Sequence, residues 1–224
     1  MTEGHLAAAL AMLEAHASDK VRADMAPRYG IVTGHALGVP MAKMQAVAKA
    51  LGRDHALAAA LWDTGLYEAR MVACMIDDPA AVTPEQMDRW RADFDNWAIV
   101  DTVAFKLFDQ VPHAFAKVNE WATLNDEFGR RAAFALLASL ALHGRGDDAD
   151  FLARLPLIEA AAPDDRNFVK KGVSWALRAI GVRKSPDLRR GGRELAGRLK
   201  QSPDRTARWI GNDAGRAFAK ADGG

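Results

Sequence analysis

The sequence predicts an all-α protein assembled from helix pairs, and three observations carry that expectation. Apolar residues recur at three- and four-residue spacing along nearly every segment. The Val- and Ile-rich alternation of strands is missing, and Ala and Leu dominate instead. Gly, Pro and capping residues interrupt the pattern often enough to give about a dozen helices with short connections, which pair at a spacing of ~35–45 residues. That spacing is the period of helical-hairpin arrays. No sequence repeat is evident, and a compact non-repeating helical domain fits the same pattern. No linker or break in composition divides the chain, so one domain over residues 1–224 is expected.

Taken in order, residues 4–17 form a first helix and 18–37 a connection containing Pro27, Tyr29 and Gly30. Gly38-Val39-Pro40 opens a helix that Gly52 stops, with Pro40 near its first turn, where proline is tolerated. Asp54 begins a helix ending near Gly65, and residues 66–77 follow, stopped by Asp78-Pro79. Thr83 caps a helix starting at Pro84, and Asp95 or Asn96 caps one from Trp97 to about Phe108. Pro112 starts another, to about Trp121. Residues 126–142 make a strongly apolar helix, and Pro156 bends or interrupts the one at 147–161. Ser185-Pro186 and Ser202-Pro203 read as caps with proline at the first helical position.

The segment NFVKKGVSWALRAIG, Asn167 to Gly181, is the most strongly amphipathic. Phe168, Val169, Val173, Ala176, Leu177 and Ile180 form its apolar stripe, Lys170, Lys171 and Arg178 stand elsewhere, and Trp175 lies at the boundary. Gly181 is placed to end the helix in a left-handed conformation.

The net charge of +1 conceals an asymmetry. From Arg166 to Lys220 there are fifteen Lys and Arg against four acids, so that segment carries +11 and the remainder −10. Such a distribution suits a polyanion met by one end of the molecule, or a charged helical surface without a partner. Cys74 is alone, which excludes an intrachain disulfide and makes a reducing cytoplasm the simplest setting. Its neighbours in MVACMI suggest a buried thiol. The start of the chain lacks the basic region of a signal peptide, and no apolar run approaches the ~20 residues of a membrane span. The expected location is cytoplasmic.

Several chemistries are set aside by pattern. The six His are scattered, with no HExxH and no Cys/His ligand spacing, so no metal site is expected. No GxSxG, GxxxxGK[ST] or GxGxxG occurs. Glu68 and Arg70 in LYEARMVA read as partners in a helix ion pair. What remains is Trp97 with Asp101 in DNWAIVD, one turn apart on one face. An aromatic face beside a carboxylate suits a cation, through cation–π and Coulombic attraction. A core Trp with a solvated acid gives the same spacing. Trp175 is open to the same two readings, and Arg131 in GRRAAFALL is either a solvated arginine or a phosphate ligand.

The succession LWDTGLYEARMVA, NWAIVD, GRRAAFALL, NFVKKGVSWALRAIG and RWIGNDAGRAF resembles the bacterial DNA alkylation repair family, the HEAT-like-repeat alkylpurine DNA glycosylases. The resemblance spans roughly residues 35–215. It implies tandem antiparallel helix pairs stacked into a C-shaped solenoid with a basic concave surface. It implies excision of N3- and N7-alkylated purines from double-stranded DNA by hydrolysis of the N-glycosidic bond, and a monomer is the default for a solenoid that wraps DNA. Neither a metal nor a nucleotide cofactor is implied, and the lesion is worked from the backbone side without base flipping.

Carried over by residue, Asp101 matches the catalytic carboxylate, and Trp97 and Trp175 match aromatics beside the lesion. Arg131 matches a phosphate-contacting arginine, Lys170, Lys171 and Arg178 fall on the basic surface, and Tyr29 lies where a further aromatic is expected. Two departures stand out: Ala98 follows Trp97 where many relatives carry an acid, and YGIVTGHALGVP at 29–40 differs from the family pattern. A non-catalytic HEAT-like module binding DNA or protein is therefore the competing expectation.

Overall fold

The computed structural model describes residues 2–223. These hold fourteen α-helices, one short 3-10 helix and no strand. Contacts gather into two compact units, Met1–Val111 and Pro112–Gly224.

The first unit comprises α1 (Thr2–Glu14), α2 (Asp19–Tyr29), α3 (Met41–Leu51), α4 (His55–Asp63), α5 (Tyr67–Ile76), α6 (Pro84–Ala92) and α7 (Trp97–Lys106), then a 3-10 turn at Phe108–Gln110. Helix α5 is its hub, packed against α3, α4 and α7. Met71, Val72, Ala73 and Cys74 are all but inaccessible, so the thiol is a core group. It donates to the Met71 carbonyl, and burial pushes its pKa up. Trp62 and Trp90 stack face to face with centroids 4.0 Å apart. Asp93 accepts from Trp62 Nε1 at 2.8 Å, and the Arg70 guanidinium lies 5.2 Å from the Trp62 ring centroid.

Helix α2 corrects the sequence reading, which made 18–37 a connection. Ser18 Oγ accepts from Val21 N, and Gly30 adopts a left-handed φ of 63°. The Gly30 and Ile31 N–H groups return to Ala26 and Met25 carbonyls. Only Met25 of this helix is buried, so no apolar stripe announces it, and Pro27 sits in its last turns. Other starts follow expectation, with Asp54, Thr83 and Asn96 each accepting a backbone N–H as N-cap, and Asp126 caps the helix expected from 126, which begins at Glu127.

The second unit comprises α8 (Ala114–Trp121), α9 (Glu127–His143), α10 (Asp148–Leu152), α11 (Leu155–Ala161), α12 (Asn167–Gly181), α13 (Pro186–Lys200) and α14 (Arg205–Asp222). The α10/α11 break falls at Pro156, which sits in the first turn of α11. Helix α12 packs against α9, α11, α13 and α14, with Val169, Val173, Ala176, Leu177 and Ile180 all inaccessible.

Two local readings change here. Gly181 is the last helical residue and not a left-handed cap; the C-cap is Val182, with φ −94°. A Cβ on Gly181 would run into the Phe218 ring, and one on Gly192 would come within 2.8 Å of Gly181 Cα. The glycine serves close helix approach. At the start of α14 the cap is Asp204, which accepts from Ala207 N, whereas Ser202 Oγ accepts only from Asp204 N. Ser185 caps α13 as expected.

Candidate functional site

Within the first unit, α2, α3, α5 and α7 enclose a pocket of about 400 Å³. Trp97 and Asp101 both line it, from the first turns of α7. Their placement begins at Asn96, a buried N-cap whose Oδ1 accepts from Ala98 N and Ile99 N at 3.1 Å each. That cap fixes where α7 starts, hence where the first-residue indole points. Trp97 Nε1 donates to the Tyr29 carbonyl at 3.0 Å, and Tyr29 lines the same pocket. Asp101, one turn along, is half-buried. The apolar share comes from Met25, Met41, Met44 and Tyr67. Burial, and next the charge of Glu68, raise the Tyr67 pKa, so its phenol stays neutral.

Sequence reasoning missed what shapes this pocket. Glu68 does not pair with Arg70. It is fully buried, and its carboxylate accepts from Leu37 N at 2.9 Å, Gly38 N at 2.7 Å and Val39 N at 3.1 Å. Arg70 instead pairs with Asp93. The Glu68 cradle holds the turn that delivers Pro40 and Met41 to the pocket wall. Gly38 is required twice over in that turn: its φ is +77°, and a Cβ would collide with Ser18 O and Arg22 N at the start of α2. Ser18 N bonds Leu37 O, and Tyr67 N bonds His35 O. The departing segment 29–40 is thus tied down at both ends, and it carries α2 and Tyr29 to Trp97. The only sequence signal was a glycine before Val-Pro, too weak to identify a partner thirty residues away.

The remaining candidates lie in the second unit. Arg131 is 6% exposed and donates from Nη1 to the Phe168 carbonyl at 2.7 Å, tying α9 to α12. Trp175 is half-buried on α12 and Lys171 is exposed. Lys170 Nζ sits 5.1 Å from the centroid of Trp209, itself 39% exposed. Arg178 Nε lies 3.3 Å from Asp213 Oδ2, which also accepts from Ser174 Oγ. Among the described residues no three His, Cys, Asp or Glu gather as metal ligands.

The model for DNA alkylation repair enzymes matches residues 9–190. The chain belongs to that family. Every site candidate named above falls inside the matched span, while α14 with Trp209 lies beyond it. A solved structure, described as a new family of proteins related to the HEAT-like repeat DNA glycosylases with affinity for branched DNA structures, is similar at a TM-score of 0.75. It shares 19% identity, with 93% of each chain covered. The fold is therefore the HEAT-like repeat. A search of curated proteins gives no match.

The basic segment of this family member is less free than its count suggests. Arg166 pairs with Asp164, Arg198 with Glu159, Arg190 with Asp187 and Arg193 with Asp222. Arg178 and Arg216 share Asp213. Hydrogen bonds from Arg166 hold the Asp164 carboxyl below its ordinary range, and Arg198 does the same to Glu159. No helix among the described residues is long and apolar enough to cross a membrane.

Proposed function

We propose that the protein is a DNA glycosylase that removes positively charged N3- and N7-alkylated purines from duplex DNA. The observation that carries this reading is the pocket in which the Trp97 ring and the Asp101 carboxylate stand one turn apart on α7, with Tyr29 beside them. Ring and carboxylate together favour a cation over an anion or a neutral ligand.

An alkylated purine already carries a formal positive charge. Its C1′–N bond breaks with the electron pair going to the base, which departs neutral, so no general acid is needed. The sugar is left as an oxocarbenium-like cation. Asp101 stabilises that charge, water adds to C1′, and a proton is lost. Removing one aimed group of this sort typically costs on the order of 10²–10³ in rate. Trp97 packs against the lesion nucleotide, and Trp175 on α12 is a further aromatic face for DNA. Lys170, Lys171 and Arg178 attract the phosphate backbone. Arg131 serves by fixing α12 against α9, since its guanidinium is buried and bonded to Phe168 O. The protein acts as a monomer, without metal or nucleotide cofactor.

A second reading, a non-catalytic DNA-binding module, has its own support. The similar solved structure is described as having affinity for branched DNA, and Ala98, a departure from the pattern of the family that the sequence resembles, lines the pocket. Single-turnover incubation with duplexes carrying 7-methylguanine or 3-methyladenine separates the two. Release of free base supports the glycosylase. Tight binding of duplex or branched DNA without release supports the module.

A further inference from the structure

A second pocket, of about 420 Å³, is lined from three of the four helices of the first, α3, α5 and α7. Helix α3 gives Met41 and Met44 to one pocket and Gln45, Ala48 and Lys49 to the other. Helix α5 gives Tyr67 and then Met75; α7 gives Asp101 and Thr102 and then Lys106. Residues Met41, Gln45, Ala48 and Gly52 follow helical spacing along one face of α3, as Thr102 and Lys106 do on α7. The two pockets are therefore successive stations along one groove.

Their chemistry is opposite. The second pocket is lined by Lys49, Arg53 and Lys106, and by no carboxylate. The surrounding unit has only ten Lys and Arg against fifteen acids, so three of its ten cations converge on one cavity inside a net-negative body. Lys49 and Lys106 are exposed, and among the described residues neither forms a salt bridge. Lys106 Nζ rests 5.6 Å from the Phe105 ring centroid. Arg53 reaches the pocket because Gly52 ends α3 with φ +72°, and it is partly neutralised by Asp78 at 3.3 Å. Cations near helix C-termini offset the helix dipole, which accounts for Lys49 and Lys106 singly. It does not account for their meeting Arg53 around a shared cavity.

We infer that Lys49, Arg53 and Lys106 form a phosphate-binding site that holds a phosphodiester of the DNA strand whose sugar is presented to Asp101. The inference rests on the proposed action on DNA. Lys106 stands one turn, ~6 Å, beyond Thr102. At ~3.4 Å of rise per nucleotide, a strand laid along the groove places a phosphate there one or two nucleotides from the reacting sugar.

The test is the salt dependence of duplex binding, read by fluorescence anisotropy from about 0.05 to 1 M salt, for the full chain. The expected slope for Lys49→Gln with Lys106→Gln is shallower than wild type by roughly 1, since the site holds one phosphodiester and each phosphate contact contributes about 0.9. Binding at ~0.05 M salt then weakens roughly tenfold. Lys49→Arg with Lys106→Arg keeps the wild-type slope. A charge-matched control at exposed positions that line neither pocket, Lys20→Gln with Lys43→Gln, also keeps it. Inorganic phosphate at constant ionic strength does not displace the DNA. An unchanged slope in the Lys49/Lys106 glutamine variant overturns the site while leaving DNA binding intact. A control variant as shallow as the test variant overturns it too, as does displacement by inorganic phosphate. Wild-type protein that binds no DNA overturns both the site and the reading beneath it.

Discussion

Trp97 Nε1 donates to the backbone carbonyl of Tyr29 at 3.0 Å, a bond between residues 68 positions apart. It joins the first residue of α7 to the last residue of α2 and fixes the indole at the pocket edge. Trp97→Phe removes the donor but keeps a ring. The expected result is a loss of about 1 kcal/mol in urea unfolding, with excision reduced less than in Trp97→Ala. Equal loss of excision in both variants would mean the bond, and not the aromatic face, is what the site needs.

Glu68 predicts a larger effect on stability. Its carboxylate is inaccessible and accepts three backbone N–H groups. Glu68→Gln places an amide N–H₂ against one of those donors, which should destabilise the protein by about 3 kcal/mol. The urea midpoint of the intact protein measures this. A midpoint within error of wild type would show that the turn at 37–39 is held by other contacts.

Gly181 gives a steric prediction. Gly181→Ala pushes a methyl into the Phe218 ring and should destabilise by about 1–3 kcal/mol. Adding Phe218→Leu should restore part of the loss, since the two sites share one contact. Strictly additive effects in the double-mutant cycle would contradict the contact.

These residues also show how far the sequence could be read. Helices with an apolar stripe, such as α9 and α12, were legible because period and capping residues agreed. Helix α2 was not, because one buried Met gives no period and Pro27 argued against it. The Trp97–Asp101 spacing was legible because a helix fixes neighbours one turn apart. The partners of Glu68, and the carbonyl that Trp97 reaches, were not. Backbone groups thirty and seventy residues away leave no mark in side-chain identity. Gly181 misled because a glycine ending a helix fits a cap and a close helix crossing equally well.

Acid should weaken the second unit through Asp164. That carboxyl is held below its ordinary range, first by hydrogen bonds from the Arg166 side chain and then by the Arg166 N–H and the charges of Arg166 and Arg130. Because the folded pKa is the lower one, the stabilisation is fully present above the unfolded value of about 3.9. It is lost as pH falls through the folded pKa. The stability difference between wild type and Asp164→Asn should therefore be constant near neutral pH and shrink below about pH 4. Urea midpoints against pH read it directly, and a difference that does not change with pH would remove Asp164 from the account.

The most direct test of the central claim is release of 7-methylguanine from a defined duplex under single-turnover conditions, wild type beside Asp101→Asn. The account predicts release by wild type, a drop on the order of 10²–10³ in the variant, and similar DNA affinity for both. Undiminished release by Asp101→Asn would contradict it, because the carboxylate in the α7 pocket would then have no part in the chemistry.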